Sequence, residues 1–201
     1  PSRDALERLR HYLPHANLVL VPHLEADDGG AQPLREPTPR AADAPLRIAV
    51  LGALSVIKGA DTLEDVARAA RRAGAPLEFH LIGYAYRSLR TQPDTALSVH
   101  GPYQEHELSA LIDAWQPDLI WFPARVPETY SYTLSAALRA GLPIVAPNLG
   151  AFPERLEARP WSWIEPWDRA AADWLDFFLR LRQRHFLPAE PPPLHHARAL
   201  N

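Results

Sequence analysis

The sequence predicts an α/β fold in which helices cover both faces of a parallel β-sheet. Short apolar runs, typical of strands buried on both faces, occupy residues 47–52, 77–83 and 119–122. Amphipathic helical patterns separate these runs. One unit is complete: strand 119–122 leads through a polar loop to a helix that ends at Gly141, and a new strand follows, as in the right-handed crossover between parallel strands.

Composition narrows the classes of function. The 201 residues are 47% hydrophobic, enough for one sizeable core with appendages, and the net charge of −3 gives no basic footprint for nucleic acid or an anionic membrane. No apolar run approaches the ~20 residues that a transmembrane helix needs. The chain has no cysteine, which excludes a disulfide framework, a thiolate nucleophile and a cysteine metal site, and fits a cytoplasmic protein.

Two further features concern the ends and the cations of the chain. It begins with Pro1 and contains no methionine, so we expect it to be a piece of a longer product. Lysine and arginine together number 21, and Lys58 is the one lysine among them. Either Lys58 has a role that requires a compact ammonium, or its retention is a matter of chance.

The first part of the chain predicts a helix, a strand and a linker. Residues 1–13 have the spacing of a short amphipathic helix, and residues 17–23 form a short apolar run typical of a strand. The apolar face of the helix consists of Leu6, Leu9 and Tyr12. Residues 24–46 lose all periodicity and are rich in Pro, Gly, Asp and Glu, as in a linker.

The loop after the first main strand places Lys58 and Gly59 at a carboxyl end of the sheet, just before an amphipathic helix. No Gly-x-Gly-x-x-Gly follows Gly52, which excludes the dinucleotide fingerprint, and the loop lacks the spacing of a Walker A motif. What remains is a lysine at a strand end that is able to neutralise a phosphate.

Two more strand ends carry candidate ligand contacts. Gly83 ends the strand at 77–83 and allows close backbone approach to a ligand. A short strand at 96–99 runs into Gly101 and Tyr103, where the tyrosine either flanks a nucleotide base or packs against its own loop.

The loop after residues 119–122 contains Glu128, three hydroxyl residues and the start of a helix. The first amides of a helix favour an anion, so a phosphate would rest on the backbone near Ser131 to Leu134. A carboxylate beside a bound phosphate is unfavourable unless it holds another part of the ligand, such as a sugar hydroxyl. Glu128 therefore has that role, or it is a solvated loop acid.

The rest of the chain completes the sheet and its helices. We predict a helix at 104–115, an edge strand at 161–164 and an amphipathic helix at 167–185, packed on the core through Trp174, Leu175, Phe178 and Leu181. Residues 186–201 are rich in proline, and we expect this tail to be poorly ordered.

Several of these motifs in this order resemble the C-terminal half of group 1 glycosyltransferases, the retaining enzymes of the GT-B fold. They are Gly52-x5-Lys58-Gly59, Ile82-Gly83, Gly101-Pro102-Tyr103, Pro127-Glu128-Thr129-Tyr130-Ser131 and Gly141-Leu142-Pro143. The variant of the Glu128 motif is similar to that of a bacterial subgroup. The resemblance spans about residues 47–156. We expect residues 47–185 to be a Rossmann-like donor-binding domain, a single GT-B half, and on the resemblance residues 1–23 are the tail of a preceding domain.

The resemblance implies a role for each matching residue. Lys58 contacts the diphosphate of a nucleoside-diphosphate sugar, Gly59 permits its tight approach, and Glu128 holds the transferred sugar. The remaining donor-binding positions are Gly52, Gly83, Gly101, Tyr103, Thr129, Tyr130, Ser131, Thr133 and Leu134. No protein nucleophile, metal or separate cofactor is implied, and the acceptor is held by an N-terminal domain of the parent chain.

Two positions depart from the family pattern. The family has an arginine just after the first strand's glycine and a second glutamate eight positions after the first, and this sequence has Ala53 and Ala136 there. Each missing contact costs ~1–3 kcal/mol of donor binding. Two hypotheses follow: a donor-binding glycosyltransferase half, or a degenerate non-catalytic Rossmann-like module that supports a neighbouring domain or binds a partner.

Overall fold

The computed structural model of the chain describes residues 2–21 and 34–194. Within these residues six parallel strands form one sheet in the order β3-β2-β1-β4-β5-β6. The strands are β1 (Leu46–Leu54), β2 (Leu77–Ala85), β3 (Leu97–Val99), β4 (Leu119–Trp121), β5 (Ile144–Pro147) and β6 (Ser162–Glu165). This arrangement confirms the predicted α/β fold.

Helices cover both faces of the sheet. They are α1 (Arg3–Tyr12), α2 (Ala60–Arg72), α3 (Leu108–Trp115), α4 (Tyr132–Arg139), α5 (Phe152–Arg155) and α6 (Ala171–Leu181), with a 3₁₀ turn at Glu105–Glu107 and a π-helical turn at Arg182–Phe186. On one face, Leu63 of α2 and Phe178 of α6 share a core with Ile48. On the other, Leu134 of α4 packs with Ile120 and with side chains from α3 and α5. None of these helices is both long enough and apolar enough to span a bilayer.

The direction of chain progression reverses between β1 and β4. From β1 the chain moves outward to β2 and β3, and it then returns to build β4, β5 and β6 on the other side. β1 and β4 are direct neighbours, with Ile48 opposite Leu119. Open α/β sheets bind ligands in the crevice that such a reversal leaves at the carboxyl ends of the strands. The loops at 55–59 and 122–131 border this crevice.

The N-terminal part departs from the sequence predictions. Helix α1 forms, but Leu9 and Tyr12 of its predicted apolar face are 47% and 77% exposed, and its buried side chains are those of Ser2 and Ala5. The helix is fastened at its start, where the Arg3 amide donates to the Glu154 carboxylate at 2.9 Å. The predicted strand at 17–23 is wrong for residues 17–21, which have no regular structure. Residues 22 and 23 lie outside the described residues.

Much of the predicted linker at 24–46 is fixed to the body. Arg182, which is 8% exposed, donates from its guanidinium to the carbonyl of Ala44 at 2.7 Å, and Arg40 pairs with Asp118. Leu46 is already the first residue of β1. The segment at 34–45 is therefore part of the packed domain, and residues 24–33 lie outside the described residues.

The C-terminal helix also extends the core beyond its predicted end. After α6 the π-helical turn carries Phe186, which is 1% exposed and lies 5.7 Å from the Trp161 ring, centroid to centroid. The boundary predicted after residue 185 therefore falls one residue too early for the core. Residues 195–201, with His195 and His196, lie outside the described residues.

One buried histidine makes the stability of this fold sensitive to pH. His80 of β2 is 7% exposed, contacts the Ser98 hydroxyl through Nδ1 at 2.5 Å and lies 4.3 Å from the Trp115 ring. Burial lowers the pKa of His80 from 6.5 to about 4, and the charge of Arg47 adds to this effect. The carboxylate of Glu78, 4.0 Å from Nε2, does not offset it.

We therefore predict that the free energy of unfolding decreases as the pH drops below 6.5. In the unfolded chain His80 is protonated below about pH 6.5, whereas in the folded chain it is protonated only near pH 4. Between about pH 7.5 and about pH 5 this group alone costs about 2 kcal/mol. Urea unfolding at several pH values measures the loss, and His80→Asn should reduce it. His106→Gln, at an exposed position, should keep the full wild-type dependence; equal curves for all three proteins would contradict this origin.

Candidate functional site

The two charged residues singled out in the sequence meet at the crevice between β1 and β4. Lys58 Nζ lies 3.5 Å from Glu128 Oε1, with the lysine side chain 48% exposed and the glutamate side chain 18% exposed. Thr133, in the first turn of α4, lines the same small cavity of about 40 Å³, as does Gly52 at the end of β1. The sheet thus brings together residues from three separate segments of the chain.

Lys58 is placed by a tight turn between β1 and α2. The Lys58 amide donates to the Ser55 carbonyl at 3.1 Å, and Gly59 has a left-handed φ of 86°. A Cβ on Gly59 would lie 2.2 Å from the carbonyl oxygen of Pro123. Position 59 therefore requires glycine both because its φ is positive and because a side chain would clash with Pro123. The turn lies directly against the chain that leaves β4.

Glu128 is placed by the chain that follows β5. Its carbonyl accepts a hydrogen bond from the Ala151 amide at 2.8 Å. A Cβ on Gly150 would lie 2.3 Å from that same carbonyl oxygen, so the two loops are in direct backbone contact. The carboxylate therefore projects from a backbone that is held by Gly150 and Ala151.

Helix α4 begins beside this pair in an uncommon conformation. Ser131, its N-cap residue, has φ 72° and ψ 93°, and its hydroxyl accepts a hydrogen bond from the Leu134 amide at 3.4 Å. The Thr133 hydroxyl lies 3.3 Å from that of Ser131. Non-glycine residues with positive φ are rare and concentrate at functional sites.

A larger cleft continues from the Lys58–Glu128 cavity along α4. Its volume is about 720 Å³, and it shares Gly52, Ala53 and Thr133 with the smaller cavity. Its walls include Tyr84 near the end of β2, Tyr103 after β3, Tyr132 and Ala136 on α4, and Arg35 from the segment before β1. The two cavities together form an open groove lined by cationic side chains (Lys58, Arg35 and Arg139), by three tyrosines and by the carboxylates of Glu105 and Glu128. Such a groove has room for an extended anionic ligand that also carries a flat ring.

Comparison with known proteins gives no matching family model and no matching curated protein, but solved structures do match. Anabaena Alr3699/HepE in complex with UDP-glucose is 16% identical, with a TM-score of 0.52 over 94% of this chain and 46% of that one. The C-terminal domain of the Francisella tularensis glycosyl transferase group 1 family protein LpcC is 15% identical, with a TM-score of 0.53 over 73% of this chain and 83% of that domain.

This chain has the fold of the C-terminal half of a group 1, GT-B glycosyltransferase. A third match, the lipopolysaccharide outer core galactosyltransferase WaaB in its apo form, is 15% identical, with a TM-score of 0.53 over 75% of this chain and 44% of that enzyme. The chain spans less than half the length of HepE and of WaaB. The predicted GT-B fold is thereby confirmed.

Within this GT-B half the predicted site residues fall into two groups. Those that line the joined cavities are Gly52, Lys58, Tyr103, Glu128 and Thr133. The others support the site or lie apart from it. Leu134 is fully buried in the core, Tyr130 is 9% exposed, and Thr129 is exposed.

Two predicted glycines have other neighbours than expected. A Cβ on Gly83 would lie 2.0 Å from the Gly52 carbonyl oxygen, so its close backbone approach is to β1. Gly101 has no atom within 4 Å of its Cβ position and donates its amide to the Gly83 carbonyl at 2.8 Å. These glycines shape the upper edge of the sheet.

The two positions that depart from the family pattern both face the groove. Ala53 lines both cavities and Ala136 lines the larger one.

Burial and the nearby Glu105 carboxylate raise the pKa of the Tyr103 phenol, which stays a neutral hydrogen-bonding group. Among residues 2–21 and 34–194 no group of three or more His, Asp or Glu side chains is arranged to hold a metal ion.

Sequence reasoning missed several groove residues. Tyr84 directly follows the strand predicted at 77–83 and was given no role, and Arg35 was assigned to a linker, yet both line the larger cleft together with Arg139. Arg155 was missed as well: its guanidinium donates to the carbonyls of Tyr130 and Ser131 at 2.9 and 3.0 Å. The strand-end position of Tyr84 was an available signal, whereas no local pattern links residue 155 to residue 131.

We predict that Gly59→Ala lowers the free energy of unfolding by about 3 kcal/mol, because the new methyl group adds a clash with Pro123 to an unfavourable φ. Gly74→Ala is the matched control: its φ is 58°, but nothing lies within 4 Å of its Cβ position. It should lose about 1 kcal/mol through conformation alone. Urea unfolding of the two variants measures both values, and equal losses would show that the chain at Pro123 moves aside at little cost.

Proposed function

We propose that this chain is the donor half of a glycosyltransferase and binds a nucleoside-diphosphate sugar in the crevice between β1 and β4. The observation that carries the proposal is the convergence of Lys58 and Glu128, 3.5 Å apart, beside the first turn of α4. A cation and helix amides suit a diphosphate, and a carboxylate suits sugar hydroxyls. The similarity to HepE, whose structure contains UDP-glucose, supports this class of ligand.

The Lys58–Glu128 pair does not compete strongly with such a ligand. The lysine is half exposed, and exposed pairs of this kind contribute about 0–1 kcal/mol. A diphosphate brings two or more negative charges and also meets the positive end of the α4 dipole. The diphosphate therefore displaces Glu128 from Lys58, and the carboxylate turns to the sugar. In the empty site the pair keeps both side chains close to their working positions.

We assign the remaining roles by position. Gly59 lets the diphosphate approach the α2 turn, the backbone of residues 131–134 receives phosphate and sugar oxygens, and Tyr103 flanks the base. In the transfer itself the bond between the anomeric carbon and the diphosphate oxygen breaks while the acceptor oxygen bonds on the same sugar face, so configuration is retained, and the proton of the acceptor hydroxyl passes to the departing diphosphate oxygen. No protein nucleophile takes part; Lys58 stabilises the departing charge, and positioning supplies the rest of the rate.

The acceptor belongs to a second domain in this proposal. The chain covers 46% of HepE, and GT-B enzymes react in the cleft between two halves. We propose that an acceptor-binding half precedes the present one in the parent protein, in a cytoplasmic bacterial enzyme, with residues 1–23 as the tail of that domain. The chain by itself should then bind donor but transfer little or no sugar.

A second candidate function is supported by Ala53 and Ala136. Both line the groove and offer no charged group to a ligand, although the family pattern places an arginine and a glutamate there. A module that no longer binds a donor and acts as a scaffold would lack these two charged side chains. Donor titration separates the two candidates, because such a module has no saturable nucleotide site.

We predict that the chain binds UDP or GDP saturably in a calorimetric titration and that Lys58→Gln weakens binding by roughly 5- to 100-fold, the equivalent of about 1–3 kcal/mol for one charged contact. Glu128→Gln should leave the affinity for the free nucleotide unchanged or slightly higher, since it removes a nearby negative charge. It should instead abolish any gain in affinity that the sugar of a UDP- or GDP-sugar provides.

Arg72→Gln is the matched control, since it removes one positive charge at the far end of α2 from Lys58. Its affinity should equal that of the wild type. No saturable binding of any nucleotide or nucleotide sugar to the wild-type chain would reject the donor site in favour of the scaffold. An equal loss of affinity in Lys58→Gln and Arg72→Gln would reduce the role of Lys58 to general electrostatic attraction.

A further inference from the structure

Arg155, which has no role in the function proposed above, makes several contacts at the start of α4. Arg155 ends α5 and lies half-buried beneath the start of α4. Its Nη1 donates to the carbonyls of Tyr130 and Ser131 at 2.9 and 3.0 Å, and its Nη2 donates to the Ser135 hydroxyl at 2.8 Å. The guanidinium carbon lies 4.1 Å from the centre of the Tyr130 ring.

These contacts surround the residue with the least favourable backbone in the site. Ser131, with φ 72° and ψ 93°, is 7% exposed and has a side chain that a positive φ disfavours. Its carbonyl also accepts from the amides of Leu134 and Ser135, at 3.1 and 3.3 Å, as α4 begins. The arginine therefore binds the same carbonyl that starts the hydrogen-bond pattern of the helix. The guanidinium reaches the two carbonyls with Nη1 and the Ser135 hydroxyl with Nη2 from one rigid plane, whereas the single nitrogen of a lysine would keep only part of this set.

The segment that carries Arg155 also holds the other half of the site. Ala151, four residues earlier, donates its amide to the Glu128 carbonyl at 2.8 Å. One short stretch after β5 thus fixes both the backbone of the carboxylate and the turn that opens α4. Any displacement of that turn moves Thr133, which lines both cavities.

We propose that Arg155 is a positioning residue of this site. It holds the Tyr130-Ser131 turn in its uncommon conformation and through it sets where the first amides of α4 meet the ligand. Its effect on nucleotide binding rests on the proposed function, whereas its effect on the turn does not. The test therefore needs one measurement without nucleotide and one with it.

The first measurement is amide hydrogen exchange of the unliganded chain. In Arg155→Gln the amides of Leu134 and Ser135 should exchange about tenfold or more faster than in the wild type, and in Arg155→Lys by an intermediate factor. The amide of Leu63, bonded to the Gly59 carbonyl in α2, is the internal reference and should not change. Unchanged exchange at Leu134 and Ser135 would overturn the proposal whether or not the chain binds nucleotide.

The second measurement is UDP affinity by calorimetry, at a temperature where every variant is folded. Arg155→Gln should bind about tenfold or more weakly, and Arg155→Lys should recover part of the loss. Faster exchange with unchanged affinity would overturn the link to the site. A wild-type chain that binds no UDP or other nucleotide would reject the proposed function, and the exchange result would then decide the role of Arg155 alone. Should Arg155→Gln fail to fold, Arg155→Lys provides both measurements.

Arg159→Gln is the matched control. Arg159 is also a half-buried arginine, and it donates to the Leu142 carbonyl at 3.0 Å and to the Ser162 hydroxyl at 3.1 Å. Those partners lie at the opposite edge of the sheet, where β5 and β6 begin. Its loss should lower thermal stability and leave both the α4 exchange rates and UDP affinity at wild-type values. The same changes in Arg159→Gln as in Arg155→Gln would show a general loosening of the fold and overturn the proposal.

Discussion

The contact of Gly59 with the Pro123 carbonyl is the constraint on which the site depends. Two loops that leave neighbouring strands in the same direction must pass each other at the point where the sheet reverses its strand order. Here they pass at backbone distance, because Gly59 has no side chain and has a conformation that other residues avoid. The lysine before Gly59 is thereby held against the chain that leads to Glu128. The 3.5 Å separation of the two charges follows from this passage.

The sequence was sufficient to predict the parallel sheet, and it placed Lys58 and Glu128 each in a loop that follows one of its strands. Continuous apolar runs identify strands that are buried on both faces, and parallel strands end at a common edge, so residues just after two such strands are brought together whatever their separation along the chain. The strand predicted at 17–23 shows the limit of this reasoning. An apolar run satisfies the side-chain requirement of a strand, but Val19 is 73% exposed and no neighbouring strand accepts its hydrogen bonds within the described residues.

The role of Arg155 lay outside local patterns for a different reason. Its partners are backbone carbonyls 24 and 25 residues earlier, and carbonyls carry no sequence signature. Gly83 shows the same effect: its position at a strand end predicted room for a ligand, but the register of β1 on β2 fills that room with the Gly52 carbonyl. Residues that act through backbone contacts become visible only when register and loop paths are known.

The unequal extent of strand pairing gives the crevice two walls that are built differently. β1 pairs with β2 along its entire length, to the register Leu54 with Ala85, whereas it pairs with β4 only at Ile48 and Ala49. The Gly52 side is therefore a continuous ladder of paired residues, and the facing side is an irregular loop held by the contacts of Pro123, Glu128 and Ser131. The shape of the crevice therefore depends on pairing within the sheet on one side and on a few individual loop contacts on the other, so single substitutions should alter the second side more readily than the first.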